Sequence, residues 1–136
     1  MTPLLITWVL TVLAAVAVVG QPDPRQHDGE AAGHIAIPKS LLNLHTIAGV
    51  PALLVWVAFL VTGNTVLGWV GLLLWWVTVV AGLLVLARWV PAKGKHSSGP
   101  ATDSWSEGPG LSILAHVGLL VGTIIWTVFL SLDKIP

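Results

Sequence analysis

Two histidines, His45 and His116, sit inside long apolar stretches of a 136-residue chain, where they are the side chains best suited to chemistry. In "LLNLHTIAGVPALLVWVAFL" (41–60) the imidazole shares its run with one other strongly polar residue, Asn43. Neutral imidazole is a standard axial ligand of haem iron, which takes one donor on each face of the ring. Two imidazoles at one depth on separate helices would suit a b-type haem, with His45 and His116 as metal ligands. The competing uses are an interhelical hydrogen bond or plain packing, although polar groups inside membrane-length segments are functional suspects by default.

The elements that would position them follow from composition. Hydrophobic residues make up 55% of the chain and charged ones 9%, against roughly 25% charged in an ordinary soluble domain. A chain this small is mostly surface, so lipid must be the solvent for much of it. Four stretches reach the roughly 20 residues a helix needs to cross a bilayer: about 3–20, 40–62, 66–90 and 110–132. Within them the only charged side chain is Arg88, in the last turn of the third. The segments 21–39 and 91–109 are polar and rich in Pro and Gly, as loops tend to be, whereas "GNT" (63–65) leaves room only for a tight turn. The prediction is a single all-α domain, 1–136: a polytopic up-down bundle of four transmembrane helices, with the 63–65 turn on one face and two longer loops on the other. The first span opens "MTPLLITW" without a positive leader, so it reads as a retained helix rather than a signal peptide.

Orientation follows from the cations. Arg25, Lys39, Arg88, Lys93 and Lys95 fall on the face of the long loops, and Lys134 on the face of the termini. The positive-inside rule places the long loops in the cytoplasm and both termini outside, in a bacterial cytoplasmic (inner) membrane. Trp69 and Trp89 lie near the ends of the third span, where belt residues belong. Trp75 and Trp76 lie near its middle and read as helix–helix or lipid packing, with a place beside a planar ligand as the alternative.

The two histidines can be compared for depth. His45 is 18 residues before Gly63 and His116 is 17 before Asp133, which at a rise of about 1.5 Å per residue puts them roughly 27 Å and 25 Å from the face of the termini. Small residues near each would let helices stand around a ring: Gly49, one turn past His45, and Gly118 and Gly122 in "HVGLLVG". The last two also make a GxxxG match, a motif common in plain helix packing. Thr46 and Thr123 are placed to orient an imidazole or reach a propionate, while Asn43, Lys39 and Arg88 lie towards the loop face, where propionates would emerge. "WVAFL" (56–60) and "WTVFL" (126–130) repeat W-x-x-F-L, 11 and 10 residues after the respective histidine, hinting at a duplicated hairpin. Pro51 is expected to kink the second span.

Several classes drop out. Net charge is zero, giving no footing for nucleic acid, and there is no cysteine for a disulfide, thiolate site or nucleophile. No span holds a carboxylate, so an intramembrane acid–base pair is missing, and the His-x-x-x-His and His-Glu-x-x-His zinc patterns do not occur. His27, His34 and His96, with Asp28 and Glu30, read as solvated loop residues rather than a surface metal site. The chain therefore shows no catalytic constellation of its own.

The layout resembles the small membrane-anchor subunits and four-helix cytochromes that hold b-type haem between helices, such as the anchors of succinate dehydrogenases or the cytochrome b561 group. The two-haem b561 arrangement would need four membrane histidines where this chain has two. The spacing of His45 to Trp56 also resembles bacterial antenna polypeptides, in which a histidine ligates bacteriochlorophyll. The expected function is thus a small subunit of a redox complex, one haem between His45 and His116 passing electrons to a quinone or second centre, with the bilayer and other membrane subunits as partners. The alternatives are a cofactor-free accessory subunit that fills space between larger partners, and a pigment-binding subunit of a photosynthetic assembly.

Overall fold

The computed structural model describes residues 1–19, 39–93 and 109–136, with side chains placed at 1–19, 44, 45, 47–87 and 113–136. The described residues are all-α, in four helices: α1 (Pro3–Val19), α2 (Lys39–Thr62), α3 (Thr65–Lys93) and α4 (Pro109–Ser131). Each boundary lies within three residues of the apolar stretch that predicted it. Thr65–Ala87 of α3 and Ile113–Ser131 of α4 are long and apolar enough to cross a membrane, while Pro3–Val19 and Ile47–Thr62 are shorter apolar helices. The loop positions His27, His34, His96, Asp28 and Glu30 lie outside the described residues.

The turn between α2 and α3 shows how few residues a hairpin needs. Gly63 ends α2 at φ 67°, its amide donating to the Phe59 carbonyl at 2.8 Å. This left-handed position costs glycine little because it has no Cβ. Asn64 then caps α3: its Oδ1 accepts from the amides of Val66 at 3.0 Å and Leu67 at 3.3 Å, two donors that a helix start otherwise leaves unpaired. At the far end of α4, Asp133 takes a left-handed φ of 49° and the Lys134 amide donates to the Phe129 carbonyl at 2.8 Å. That Schellman-type stop turns the chain back, burying Ile135 and bringing Pro136 beside Gly63.

α2 and α3 form the closest pairing; α3 also packs on α4, and α1 closes the ring against α2 and α4. Across this ring α2 and α4 make no backbone approach among the described residues, so side chains alone span the space between them. α2 continues through Pro51, which lies on its exposed side.

The distribution of polarity is inverted relative to a soluble bundle. Thr7, Thr11, Thr78, Thr123 and His45 are buried, whereas Val12, Leu13, Val16, Leu54, Leu73 and Leu114 are exposed. The threonines remain satisfied without water. Thr7, Thr78 and Thr123 donate to the carbonyls of Pro3, Leu74 and Leu119 four residues back, at 2.8–2.9 Å. That internal pairing is what an apolar surrounding demands of a hydroxyl.

At mid-bundle three tryptophans converge. Trp126 stacks on Trp56 at a centroid distance of 4.9 Å and on Trp75 at 5.4 Å, with Phe59 against Trp56 at 5.1 Å. Trp56, Phe59 and Trp75 are 0% exposed and Trp126 is 1% exposed. Trp56 Nε1 donates to Thr11 Oγ1 of α1, and the half-buried Trp76 donates to Thr127 Oγ1 of α4, each at 3.1 Å. The indole N–H groups of Trp75 and Trp126 are buried with no acceptor among the described residues. Each such orphan costs about 1–3 kcal/mol, against burial of ring surfaces that dominate core energetics. The mid-span Trp75 therefore packs between helices rather than against lipid.

Candidate functional site: a histidine pair over a glycine

α3 turns a regular stripe towards the bundle interior. Gly68, Gly71, Trp75, Thr78 and Gly82 follow one another at intervals of three and four, so they share one helix face. Three of these five positions lack a side chain; rings from neighbouring helices fill the gaps at Gly68 and Gly82, and the backbone of Trp56 comes closest at Gly71. A Cβ on Gly68 would lie 3.0 Å from the Phe59 ring, and one on Gly71 3.1 Å from the Trp56 amide nitrogen.

At Gly82 the arriving rings are His45 from α2 and His116 from α4. Their centroids are 5.5 Å apart and their planes inclined by 29°. A Cβ on Gly82 would stand 2.7 Å from His45 Cε1, 2.7 Å from His116 Cδ2 and 2.9 Å from His116 Nε2. The equal depth read from the sequence thus becomes direct contact between the imidazoles.

His45 is held in one tautomer. Its Nδ1 lies 3.1 Å from the Thr78 carbonyl oxygen, which can only accept, so Nδ1 carries the proton and Nε2 keeps its lone pair. Fixing one ring nitrogen on a backbone carbonyl so that the other faces a metal is a recurring second-shell device. His45 is buried and His116 about half-buried. Next to His116, Ile113, Leu114, Ala115, Val117 and Gly118 are all exposed, so His116 carries the contact with α2 and α3 among these described residues.

The remaining candidates divide. Gly49 is buried beside the pair, its Cβ direction meeting Val18 of α1 at 3.4 Å and Thr78 of α3 at 3.7 Å; it makes room for α1 rather than for a ring. Gly118 is exposed and Gly122 buried, but at neither would a Cβ meet anything within 4 Å. The Thr123 hydroxyl is spent on the Leu119 carbonyl, and Thr127 occupies the Thr123 carbonyl at 2.7 Å. The part sketched for Thr123, orienting an imidazole, is taken for His45 by the backbone of Thr78. Lys39 begins α2 and Arg88 lies six residues past Gly82, both at the histidine end; the side chains of Lys39, Asn43, Thr46 and Arg88 fall outside those described.

Gly82 and Thr78 were missed from the sequence, although the three-and-four spacing of small residues along α3 carried the signal. Among the described residues no three His, Cys, Asp or Glu side chains gather into a metal-holding group. A pair of neutral imidazoles is a thin donor set for a bare ion. It is a complete one for haem, whose porphyrin supplies the four equatorial nitrogens. The two rings are stacked on each other at 5.5 Å with their tips against Gly82, so a porphyrin between them would require the rings to turn end-on and the helices to part. The space left by the missing Cβ of Gly82 is taken up by the two imidazoles themselves. Comparison with protein-family models, with curated proteins and with solved structures returns no match to this chain.

Proposed function

We propose that the chain is an integral membrane protein whose four helices all cross the bilayer, and that His45 and His116 hold one b-type haem near the face of the long loops. On this reading it serves as a small subunit of a redox complex, relaying electrons between partner subunits and a quinone or second centre. The observation that carries the proposal is the meeting of the two imidazoles over Gly82, with His45 Nδ1 tied to the Thr78 carbonyl.

The membrane part is supported by the inverted polarity: aliphatic side chains outside, self-satisfied threonines inside. An apolar exterior of this extent marks a lipid or partner surface. The cation bias towards the loop face supports placing that face in the cytoplasm of a bacterium, termini outside. The haem would supply one-electron chemistry when bound. The residues of the chain would do the rest: His45 and His116 offer nitrogen donors, and the Thr78 carbonyl fixes one of them. Lys39 and Arg88 stand at the end where propionates would need a counter-charge.

An absorption spectrum of the detergent-purified full chain, oxidised and dithionite-reduced, tests this. A reduced b-type α-band that is lost in His45→Ala and in His116→Ala is the expected result. A colourless preparation that takes up no added haem overturns it and returns both histidines to packing roles in an accessory subunit; far-red absorption would instead indicate bacteriochlorophyll. Orientation is open to a clean test because the chain has no cysteine. A lone Ser97→Cys should react with membrane-impermeant maleimide only from the cytoplasmic side.

A further inference from the structure

The α2–α3 hairpin carries its charges at one end. From residue 39 to residue 93 the only charged residues are Lys39, Arg88 and Lys93. Lys39 opens α2, Lys93 closes α3, and Arg88 lies five residues before that close. The two helices run antiparallel from the 63–65 turn and make the closest pairing in the bundle, so their far ends lie side by side. Lys39 is 24 residues before Gly63 and Arg88 is 23 after Thr65, which is roughly 36 Å and 35 Å of helix at about 1.5 Å per residue. A bilayer has a hydrocarbon core about 30 Å thick, and about 40–45 Å with its headgroups. With the turn at one boundary, both positions reach the headgroup layer of the opposite leaflet, and Lys93 stands further out in the same layer.

Helix energetics account for only part of this placement. Arg88 and Lys93 fall at the C-terminal end of α3, where the macrodipole favours a cation. Lys39 falls at the N-terminal end of α2, where the macrodipole disfavours one, and the first turn holds no acidic residue to offset it. Along the chain the nearest acids are Glu30, nine residues before Lys39, and Asp103, ten after Lys93. At the other end of the bundle Asp133 and Lys134 are adjacent and balance. Counted over the side chains of the described residues, three positive charges and no negative one belong to one leaflet, and a neutral pair to the other. We infer that the loop-side end of the α2–α3 hairpin is a binding site for anionic phospholipid headgroups, with Lys39, Arg88 and Lys93 supplying the positive charge. The inference rests on the bilayer-spanning reading above and is independent of any haem. Charge complementarity and depth select the occupant: anionic headgroups lie at the level these cations reach, and each Lys or Arg near such a surface strengthens the attraction about fivefold.

The experiment reconstitutes the full, cofactor-free chain in phosphatidylcholine vesicles with a trace of spin-labelled phosphatidylglycerol or spin-labelled phosphatidylcholine. Electron paramagnetic resonance gives the fraction of each label held at the protein surface, and circular dichroism reports whether each variant keeps its helices. Phosphatidylglycerol should associate with wild type about 5- to 100-fold more strongly than phosphatidylcholine, the range for one to three cations acting together. The preference should vanish at about 1 M salt, where the Debye length is about 3 Å, and in the triple variant Lys39→Gln/Arg88→Gln/Lys93→Gln. Lys134→Gln should leave it unchanged. Equal association of the two labels with wild type overturns the inference, and so does a preference that survives the triple variant or is abolished by Lys134→Gln. Should the triple variant fail to fold, Lys39→Gln decides: it removes the cation that the α2 dipole disfavours, so it should fold at least as well as wild type, and a preference undiminished in it overturns the inference. A chain that a carbonate wash strips from the vesicles defeats the bilayer reading itself, a failure distinct from equal lipid association in an inserted chain.

Discussion

α2 and α4 meet twice across the middle of the molecule, and the two meetings are built differently. Eleven residues past His45 comes Trp56, ten past His116 comes Trp126, and both pairs are in ring-to-ring contact, at 5.5 Å and 4.9 Å. The tryptophan level is sealed. Trp75 and Phe59 complete the cluster, Gly68 and Gly71 bring α3 to van der Waals contact, and Thr11 of α1 closes the fourth side. The histidine level is closed on the α2 and α3 sides and loose on the α4 side, where His116 is half-buried and its neighbours are exposed. Close packing and mobility cannot occupy the same layer. One level is closed on every side by rings and close backbone approaches, whereas the other rests on two imidazoles meeting over Gly82.

The most direct way to break the comparison is to empty the sealed level. Trp126→Ala removes the ring that touches both Trp56 and Trp75, and should cost about 3–5 kcal/mol, the usual range for deleting a buried aromatic. Equilibrium unfolding in mixed micelles, followed by circular dichroism, measures it. Overfilling the same level comes next. In Gly71→Ala the new methyl would meet the backbone of Trp56 at 3.1–3.2 Å, and backbone cannot rotate away as a side chain does. A loss of about 1–3 kcal/mol is expected, whereas a methyl at Gly118 meets nothing and should leave stability unchanged or raise it by up to about 1 kcal/mol through the higher helix propensity of Ala.

That contrast between glycines also marks what was legible in the sequence. The helices were readable because membrane-length apolar runs are bounded by Pro- and Gly-rich segments, and the 63–65 turn because Gly and Asn each supply a specific turn function. Equal depth of His45 and His116 followed from counting helical rise, and the repeated W-x-x-F-L placed Trp56 and Trp126 at matching levels. Which faces turn inward was not readable. Helices apolar on every side carry no amphipathic stripe to mark an interior, so residue counting fixes height and leaves rotation open. The GxxxG match in α4 drew attention to Gly118 and Gly122, which meet nothing, while the close approaches are made by Gly68, Gly71 and Gly82 on α3. Residues at 68, 71, 75, 78 and 82 form a three-and-four series, but among so many small and apolar neighbours it gains meaning only once the rings of α2 and α4 are seen against it. Thr78 escaped notice for a different reason: its contribution is a backbone carbonyl, which every residue has.

A finer cut separates packing from hydrogen bonding within the sealed level. Thr11→Val keeps the shape of the side chain and removes the acceptor of Trp56 Nε1, leaving a third unpaired indole beside those of Trp75 and Trp126. Interhelical hydrogen bonds in membrane proteins average about 0.6 kcal/mol, so a loss near that value is expected in the same unfolding assay. Combined with Trp56→Phe, which removes the donor, the double variant should lose little more than Trp56→Phe alone. Fully additive losses would show that the hydroxyl matters for something other than this bond.

The smallest expected effect tests the loose level. In the cofactor-free protein, His116→Ala should change stability by about 1 kcal/mol or less, as for substitutions away from a sealed core, because the ring is half-buried on the exposed end of α4. With haem present the same substitution should matter far more. A ligand at 100 times its dissociation constant stabilises the state that binds it by about 2.7 kcal/mol, and under the proposed ligation His116→Ala would forfeit that gain. Unfolding curves for wild type and His116→Ala, each with and without haem, measure the difference of differences. A gap that opens only when haem is added assigns His116 to the ligand rather than to the fold. A large loss without haem would make the histidine level a second structural core, and the contrast between the two meetings of α2 and α4 would be one of residue type alone.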